Sequence, residues 1–388
     1  MTTNPPADGA ITYAVIDLSV IMHNVRALKA HVGGPVEVIA VVKANGYGHG
    51  AAEAARAALA GGATRLAVAR VDEGVALRQA GLAAPILVMG YAPPDAAPFI
   101  VAHNLTATLT TWEAAQAVSA QAEAAGRRAP VHVKVDTGMG RFGLLPEEAA
   151  AFVDQVAALP GLDLEGMFTH FAVADEPAEA SRAYTRQQFA RFTDVLRAVA
   201  AAGHRLRVRH CANSAATLFH AETHLDAVRP GIAIYGLRPN AEVAPPVALQ
   251  PALALQSRVA RVRTLPPGSS ISYGRTYTTT RPTPVALVPV GYGDGYHRLL
   301  SNRGAVLING QRAPIVGRVC MDQFVVDVTG IPDVKQDDTV VLIGAQGEAR
   351  ITAEEVARWA ETINYEVTTS LLPRVKRVYL PPAADDVR

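Results

Sequence analysis

The segment Val36-Glu-Val-Ile-Ala-Val-Val-Lys-Ala-Asn-Gly-Tyr-Gly-His-Gly50 contains the pattern on which the architecture rests. Its first half is an almost uninterrupted apolar run, and its second half is a turn that holds three glycines. A short apolar run closed by a turn is typical of a strand that is buried on both faces, as in a parallel sheet. Lys43 stands at the junction, so a single amine follows directly on a predicted buried strand.

About eight such runs occur between residues 14 and 240, separated by longer segments with the apolar spacing of helices. The runs are Val36–Val42, Arg65–Ala69, Pro85–Met89, Leu105–Leu109, Val131–Val135, Leu164–Phe168, Leu206–His210 and Ile232–Tyr235. Eight strand–helix units in this length match a closed parallel (β/α)8 barrel of the TIM type, which typically takes about 250 residues. The sequence therefore predicts an α/β fold with such a barrel over residues 14–244.

The hydrophobic pattern of the sequence changes after the proline-rich stretch Leu237–Pro251, which is typical of a boundary between domains. Beyond it, β-branched runs broken by Gly and Pro predict a mainly-β domain over residues 245–388. Ile308-Asn-Gly-Gln311 predicts a hairpin, because Asn-Gly tolerates the positive φ of a tight turn. One helical stretch is expected at 353–362, and residues 1–13 form an N-terminal extension that could add a strand to the β domain.

Composition excludes several classes of protein. The 36 Lys and Arg against 35 Asp and Glu provide no field of one sign for nucleic acid or a membrane surface. No apolar stretch approaches the roughly 18 residues that span a bilayer, and the N-terminus has no signal or transit pattern. The only cysteines, Cys211 and Cys320, fit reduced thiols. We expect a cytoplasmic protein without nucleic-acid or membrane partners.

In a parallel barrel the reactive groups lie at the carboxyl ends of the strands. Lys43 is at such an end, where burial lowers the pKa of an ammonium group and frees the amine to attack a carbonyl. A lysine that extends into solvent from the barrel mouth is the alternative. Lys134-Val-Asp-Thr-Gly-Met-Gly-Arg141 and His170 follow later runs; they are read either as ligand contacts or as a structural loop and a structural histidine.

Two late segments point to a phosphorylated ligand. His210-Cys-Ala-Asn-Ser214 follows the seventh run, and Val228-Arg-Pro-Gly-Ile232 surrounds the eighth. A hydroxyl, backbone N–H groups and an arginine therefore converge in the part of a barrel that frequently binds phosphate. In the alternative interpretation, Ser214 is only a helix N-cap and Pro230-Gly231 only a turn.

Taken in order, these motifs resemble those of the bacterial alanine racemases, and the segment around Lys43 resembles their pyridoxal-phosphate attachment site. The resemblance extends from near the N-terminus to the last strands. It is carried by the segments 41–50, 134–141, 170–175, 213–214, 229–236, 272–277, 291–296, 317–323 and 365–367. It implies a barrel with a C-terminal β domain, bound pyridoxal 5'-phosphate, and interconversion of L- and D-alanine that supplies D-alanine for peptidoglycan.

The resemblance also implies the role of individual residues. Lys43 binds the cofactor covalently and is one of two acid–base groups, and Tyr273 is the other. Arg229 faces the pyridine nitrogen, and His170 links it by hydrogen bonds to Tyr273. The cofactor phosphate is held by Tyr47, Ser214, Gly231, Ile232 and Tyr365.

The substrate carboxylate is assigned, by the same resemblance, to Arg141 and to the backbone of Met321, with Asp322 beside it. Some relatives carry a carbamylated lysine at the position of Lys134, which motivates the hypothesis of a carbamate here. Tyr273, Tyr292 and Met321 reach the cofactor of the other subunit in the family, which implies a homodimer with composite active sites.

Four other functions remain open at the level of sequence. A racemase of broader specificity shares the same motifs, and a non-enzymatic pyridoxal-phosphate carrier resembles the barrel half alone. A metal-dependent barrel hydrolase could use His170, His210 and a carbamylated Lys134, although too few ligands are evident. A decarboxylase of the same plan is expected to place an acidic group where Arg229 stands. No resident metal is predicted.

Overall fold

The computed structural model describes residues 9–382 of the 388-residue chain. The chain folds into two compact units. The barrel unit comprises Ile21–Gln250, and the β unit comprises Met1–Val20 with Pro251–Arg388. Residues 1–8, which held the first part of the predicted N-terminal extension and the segment searched for a signal peptide, lie outside the described residues.

The described chain begins with strand β1 (Tyr13–Asp17) and helix α1 (Leu18–Val32). Eight parallel strands follow, each paired with the next, and β9 pairs back with β2 to close a barrel. They are β2 (Glu37–Val41), β3 (Arg65–Val68), β4 (Ile86–Val88), β5 (Thr106–Leu109), β6 (Ala129–Lys134), β7 (Leu162–Phe168), β8 (Val208–His210) and β9 (Ala227–Val228). The predicted fold class is confirmed.

The connecting helices of the barrel start and stop where local chemistry requires. Thr111, for example, caps a helix by accepting the N–H of Ala114, and Pro146 occupies a first helical turn, where its missing N–H costs nothing. The segment α2 (Lys43–Tyr47) is a short turn with left-handed residues in its interior. The helices are α3 (Ala51–Ala60), α4 (Val71–Gln79), α5 (Ala97–Ala102), α6 (Trp112–Ala124), α7 (Pro146–Ala157), α8 (Glu179–Ala201) and α9 (Ser214–Phe219). Short 3₁₀ turns lie at Pro94–Ala96, Ala221–Thr223 and Ile232–Tyr235.

The prediction of a strand at the eighth apolar run is wrong. Ile232–Tyr235 is fully buried but forms the 3₁₀ helix, and the eighth strand is the two-residue β9 before it. Gly236, with φ 77°, ends the turn in a left-handed conformation. A strand of two residues is too short to produce a hydrophobic pattern, whereas the longer apolar run beside it has the composition of a buried strand.

The β unit takes its first strand from the N-terminus. β1 lies between two later strands, antiparallel to one and parallel to the other. The later strands of the described chain are β10 (Leu253–Arg258), β11 (Arg261–Leu265), β12 (Ser270–Ile271), β13 (Tyr277–Thr278), β14 (Thr283–Val288), β15 (Ala305–Ile308), β16 (Gln311–Pro314), β17 (Phe324–Asp327), β18 (Thr339–Gln346), β19 (Ala349–Ile351) and β20 (Lys376–Leu380). β1 pairs with β10 and β20 and therefore belongs to the β unit. The predicted barrel domain covers residues 14–244, and the compact barrel unit covers Ile21–Gln250.

Three sheets make up the described part of the β unit. The largest has the order β16-β15-β18-β10-β1-β20, with β19 on β18, and the smaller ones are β11-β14-β17 and β12-β13. The predicted hairpin is confirmed: Asn309 and Gly310, both with positive φ, join β15 to β16. The helix predicted at 353–362 is α10 (Ala353–Trp359), and a second helix that was not predicted, α11 (Asn364–Thr369), follows it. Short 3₁₀ turns occur at Tyr273–Arg275, Tyr292–Asp294 and Arg298–Leu300.

Between Gly9 and Pro382, no helix is both long and apolar enough to cross a bilayer.

Candidate active site

Lys43 opens a left-handed turn at the carboxyl end of β2. The three non-glycine residues after it, Ala44, Asn45 and Tyr47, have φ of 50°, 52° and 51°, and Gly46 has 63°. Left-handed backbone costs roughly 1–2 kcal/mol for each non-glycine residue, so the turn needs external support. It is therefore a strained segment that the surrounding structure must hold in place.

Glu73, at the start of α4, provides that support. One carboxylate oxygen accepts the N–H of Ala44 at 2.6 Å. The other accepts the N–H groups of Ala69 at 2.8 Å and Arg70 at 3.1 Å. A single carboxylate thus ties the strained turn to the end of the neighbouring strand β3. Sequence reasoning missed Glu73, because no local pattern connects it with Lys43.

The surroundings of Lys43 favour its neutral amine. Burial lowers the pKa of Lys43, and the nearby cation Arg141 lowers it further. Glu73 acts in the opposite direction, and Arg229 again lowers the pKa. Because the amine form is the nucleophile toward a carbonyl carbon, this environment suits covalent capture of an aldehyde.

Arg229 is a buried cation with a fixed orientation. Its Nη1 donates to His210 Nδ1 at 2.7 Å, and its Nη2 donates to the carbonyl oxygens of Thr169 at 2.7 Å and Cys211 at 3.2 Å. Burial lowers its pKa to about 10, so the group stays charged at neutral pH. His170 Nδ1 lies 3.4 Å from Nη2, which brings this predicted pair together.

His170 is kept neutral by its position. Burial holds its pKa well below the ordinary value, and the cations of Arg229 and Arg141 act in the same direction, followed by Lys134 and Lys43. A neutral imidazole beside a guanidinium can accept a hydrogen bond from it. The geometry allows His170 to connect Arg229 to a further group at the barrel mouth.

The predicted phosphate residues of the barrel unit lie together. Ser214 Oγ accepts the N–H groups of Gly231 at 2.8 Å and Ala233 at 3.4 Å, which leaves its hydroxyl hydrogen to donate. Ile232 follows directly and is fully buried. The N-cap of α9 is Asn213, so the alternative interpretation of Ser214 as only an N-cap is wrong.

Gly231 gives this group its shape. A Cβ atom at that position would lie 2.3 Å from the hydroxyl oxygen of Tyr47, closer than any real contact. The Tyr47 ring is held against the Tyr235 ring at a centroid distance of 5.1 Å. The chain therefore builds a small cradle in which a tyrosine hydroxyl and a serine hydroxyl lie beside a glycine backbone.

The loop after β6 folds around Asp136 rather than around an ion pair. The Asp136 carboxylate accepts four backbone N–H groups, from residues 138 to 141, at 2.7–3.1 Å. Arg141, at the end of this loop, is exposed. Lys134 is buried, with its Nζ 4.7 Å from the centre of the Phe142 ring. Burial, then Arg229 and Arg141, lowers the pKa of Lys134 to about 8, against the opposing effect of Asp136.

Apart from Tyr365, the predicted residues of the β unit lie on three loops that are joined to one another. Ser272 Oγ donates to the carbonyl of Arg318 at 2.7 Å. The N–H groups of Tyr292 and Gly293 donate to the carbonyls of Cys320 and Met321 at 3.1 and 2.8 Å. We call the segments 272–275, 291–295 and 318–322 the loop cluster. These hydrogen bonds fix the loop cluster although several of its side chains are exposed.

Three large side chains of the loop cluster extend into solvent in the single chain. Tyr273 is 73% exposed, Met321 53% and Tyr292 41%. Beside them, Arg374 Nε donates to Asp294 at 2.5 Å and its Nη2 to Asp322 at 2.8 Å. Tyr365 is half-buried in α11 of the same unit. A set of exposed large side chains on a fixed backbone is typical of a surface that another molecule covers.

The described chain contains no candidate metal site made of His, Cys, Asp and Glu side chains. Among residues 9–382, no group of three or more of them could hold a metal ion. The hydrolase alternative thus lacks the metal ligands it would need in the described chain.

Comparisons with known proteins agree over nearly the whole chain. A family model described as "Alanine racemase, N-terminal domain" matches residues 16–239, and its C-terminal counterpart matches residues 252–379. The alanine racemase of Desulforamulus reducens is 50% identical over 370 residues, covering 95% of this chain and 98% of the relative. That of Symbiobacterium thermophilum is 50% identical over 368 residues, covering 95% and 97%.

Solved structures show the same likeness. Alanine racemase from a D-cycloserine-producing Streptomyces lavendulae superposes with a TM-score of 0.92 at 39% identity, covering 99% of this chain and all of that one. Alanine racemase from Bartonella henselae, with covalently bound pyridoxal phosphate, gives 0.85 at 30% identity, covering 96% and 100%.

Proposed function

The chain belongs to the alanine racemase family, and from that premise we propose that Lys43 and Tyr273 are its two acid–base groups. It is a pyridoxal-phosphate-dependent enzyme that interconverts L- and D-alanine, and D-alanine is a building block of peptidoglycan. The observation that carries the proposal is the strained turn that holds Lys43, with its lowered pKa, at the barrel mouth. The non-enzymatic carrier is a poorer fit, because a carrier would lack the matched C-terminal domain.

The residues at the barrel mouth fit pyridoxal 5'-phosphate. The cradle of Tyr47, Ser214 and Gly231 offers two hydroxyl groups to a phosphate. Lys43 offers an amine to the aldehyde, and Arg229 offers a cation to the ring nitrogen. When bound, the cofactor delocalises the negative charge that develops at the substrate Cα. The residues of this chain supply the orientation and move the protons.

Two proton carriers on opposite faces are what racemisation needs, because a proton leaves one face of Cα and returns to the other. Lys43 accepts or donates the proton on one face, and its lowered pKa keeps its amine available as a base. The phenol of Tyr273 serves the other face. The 73% exposure of Tyr273 in the single chain supports its action in the site of a second copy, which makes the enzyme a homodimer with composite sites.

Arg229 steers the outcome of the reaction. With the cofactor bound, the permanent cation of Arg229 would oppose protonation of the ring nitrogen, so negative charge would stay nearer Cα. Reprotonation at Cα, which gives racemisation, is then favoured over transamination. The bonds from Arg229 to Thr169, Cys211 and His210 keep the guanidinium in one orientation, and His170 Nδ1 lies beside it. We assign His170 to the link between Arg229 and the phenol of Tyr273 from the second copy.

The substrate carboxylate is assigned to Arg141 and the backbone of Met321, with Tyr292 and Asp322 supporting the loop cluster. Tyr365 is assigned to the phosphate. We also propose that Lys134 is carbamylated: its pKa of about 8 leaves a share of neutral amine, and the carbamate anion would lie near the cations Arg141 and Arg229. Native mass spectrometry that shows no added carboxyl group would contradict the carbamate. A cytoplasmic location stays a prediction.

The proposed roles can be tested on the purified holoenzyme. Borohydride reduction should fix the cofactor on Lys43, as peptide mapping will show. In heavy water, the enzyme should exchange the α-proton of both alanine enantiomers. In Tyr273→Phe, racemisation should fall equally in both directions, because each direction needs both proton carriers. Exchange of the α-proton with solvent should become unequal: it should persist for the enantiomer whose α-proton faces Lys43 and be lost for the other. Equal exchange of both enantiomers in Tyr273→Phe, or a label on another lysine, would overturn the assignment.

A further inference from the structure

A chain of four direct contacts runs from Arg229 into the barrel interior. Arg229 Nη1 meets His210 Nδ1 at 2.7 Å, and His210 Nε2 meets His132 Nδ1 at 2.8 Å. His132 Nε2 meets Glu165 Oε2 at 3.2 Å, and Glu165 Oε1 meets Arg65 Nη2 at 2.9 Å. We call these five residues the imidazole chain. Its two histidines are at most 1% exposed and Glu165 8%.

The direction of every hydrogen bond in the imidazole chain follows from its two ends. A guanidinium only donates, so Nδ1 of His210 must accept from Arg229 and its hydrogen must be on Nε2. That hydrogen is donated to Nδ1 of His132, whose own hydrogen is then on Nε2. An ionised carboxylate only accepts, so Glu165 receives it. Both ends require the same tautomer at both histidines.

The charge states agree with this geometry. Burial lowers the pKa of His132 and holds that of His210 well below the ordinary value, so both rings are neutral. Burial alone would raise the pKa of Glu165, but the hydrogen bonds from His132 and Arg65 outweigh it and lower the pKa to about 2. Glu165 is therefore an anion that lies between two cationic ends, Arg229 through the histidines and Arg65 directly.

Two local features aim the side chains at each other. The register of β6 and β7 shifts, so Val131 faces Leu164 but His132 faces Gly166, and Glu165 is the extra residue of a bulge. Bulges re-aim side chains, and here the carboxylate turns toward the His132 ring. A Cβ at Gly166 would lie 2.9 Å from two atoms of that ring and 2.3 Å from the Val208 carbonyl. The glycine thus leaves the space that the ring occupies.

We propose that Glu165 is a positioning residue of the racemase: through His132 and His210 it fixes both tautomers and thereby the direction in which Arg229 donates. The inference rests on the assignment of Arg229 to the ring nitrogen in the proposed function. Glu165 lies too deep in the imidazole chain to touch the substrate, and it acts only by keeping the His210 acceptor turned toward Arg229. Without that acceptor, Nη1 of the guanidinium would lose its partner.

The test compares Glu165→Gln with Asp163→Asn. In Glu165→Gln, the amide oxygen must accept the hydrogen bond from Arg65, because a guanidinium only donates. The amide NH2 group then faces His132 Nε2, which must accept a hydrogen bond from it. The hydrogens of His132 and His210 then move to Nδ1, where the one on His210 opposes Arg229. Asp163 lies on the same strand and pairs with Arg207 at 2.6 Å, so Asp163→Asn removes the same charge without contact to either histidine.

Neutron diffraction of the holoenzyme reads the hydrogens directly. In the wild type and in Asp163→Asn, we expect them on Nε2 of both histidines. In Glu165→Gln, we expect at least one on Nδ1 and an Arg229–His210 separation beyond hydrogen-bond distance. Its kcat should fall about tenfold with KM changed by less than about twofold, while Asp163→Asn stays near wild type. Glu165→Asp, which keeps the carboxylate, should recover part of the loss.

Several results would overturn the inference. A hydrogen on His210 Nδ1 in the wild type is one, and unchanged tautomers with unchanged kcat in Glu165→Gln are another. If Glu165→Gln does not fold, the wild-type hydrogens and the kinetics of Glu165→Asp decide. A further result separates this inference from the proposed function. If Arg229 does not face the ring nitrogen, the hydrogens on the histidines should lie where we infer them, but Glu165→Gln should leave the visible spectrum of the cofactor unchanged. That result would reject the role assigned to Arg229 and with it the positioning role of Glu165.

Discussion

The imidazole chain in the barrel and the loop cluster in the β unit solve opposite problems. In the barrel, polar groups are buried and paired with one another within one chain, from Arg229 to Arg65. In the loop cluster, the backbone is fixed but Tyr273, Tyr292 and Met321 are 41–73% exposed. The barrel therefore pairs its buried polar groups with one another within one chain. The large exposed side chains of the loop cluster remain available to contact another molecule.

The difference separates two requirements of a racemase. In the proposed function, Arg229 controls the electronic state of the cofactor, and a buried network with fixed proton positions would keep that state constant. In the proposed function, the second proton carrier is the phenol of Tyr273, which reaches the far face of the substrate from a second copy of the chain. The following experiments test this division of labour, in order of expected effect.

Removing the amine tests the barrel side. Lys43→Ala should lower the racemisation rate by about 10³-fold or more, because it removes both the attachment point and one proton carrier. The visible absorbance of the bound cofactor should be lost with it. Retention of that absorbance, bound covalently to another residue, would contradict the assignment.

Mixing two inactive variants tests whether the sites are composite. Lys43→Ala and Tyr273→Phe homodimers should each be weak in racemisation. After subunit exchange, a mixed dimer has one site with both native groups, so equal mixing should restore about a quarter of wild-type activity. If both groups came from one chain, no mixed site would be complete, and the mixture would remain at the level of its components.

The cradle can be broken by one methyl group. Gly231→Ala would place a Cβ 2.3 Å from the Tyr47 hydroxyl, and such overpacking costs about 1–3 kcal/mol. The dissociation constant of pyridoxal phosphate should rise by roughly 5- to 150-fold, measured by fluorescence titration of the apoenzyme. Gly34→Ala, where a Cβ would meet nothing within 4 Å, is the matched control and should bind normally.

Acid should weaken the imidazole chain selectively. The pKa of Glu165 is about 2 in the folded chain, below its ordinary value of 4.5, so its stabilising effect is present above about pH 4.5 and is lost as pH falls toward 2. Between pH 4.5 and pH 2, the folding equilibrium constant of the wild type should fall about tenfold more than that of Glu165→Gln, after allowance for solvent screening. Urea unfolding at pH 6 and pH 3 measures it; parallel curves would contradict the assigned charge.

The smallest effect is expected at Arg374. Arg374→Ala frees Asp294 and Asp322, which loosens the loop cluster without removing any of its backbone bonds. Because Arg374 is half exposed and the buried Asp294 still accepts the N–H of Gly291, kcat should fall by less than about fivefold. Arg312→Ala, which breaks an exposed pair with Glu355, should not alter kcat. A large loss in Arg374→Ala would mean that the side-chain bonds, rather than the backbone, fix the loops.

The sequence predicted the barrel because repeated apolar runs carry the period of buried strands, and it misplaced only the eighth, where β9 has two residues. It also predicted the hairpin at Asn309-Gly310, whose turn chemistry is local. The N-terminal boundary was less accurate, since β1 pairs with strands more than 230 residues away, such as Ile16 with Leu253. Such pairing leaves no mark in a local pattern.

The candidate site was only partly visible in the sequence. Lys43 and Arg229 stand at strand ends and in motifs, so they could be found. Glu165 and His132 had a weaker signal, namely a polar residue inside an apolar run. What no sequence pattern reveals is the bulge that turns them together, because it depends on how two strands pair.

The strained turn after Lys43 has a consequence for how the enzyme matures. Its anchor, Glu73, lies 29 residues beyond Ala44, so we expect the turn to hold the reactive amine in place only after the second strand–helix unit has formed. Capture of the vitamin B6 aldehyde would then report that this part of the chain has reached its native arrangement. During refolding, colour should develop only after that step, and nascent or damaged molecules should remain colourless.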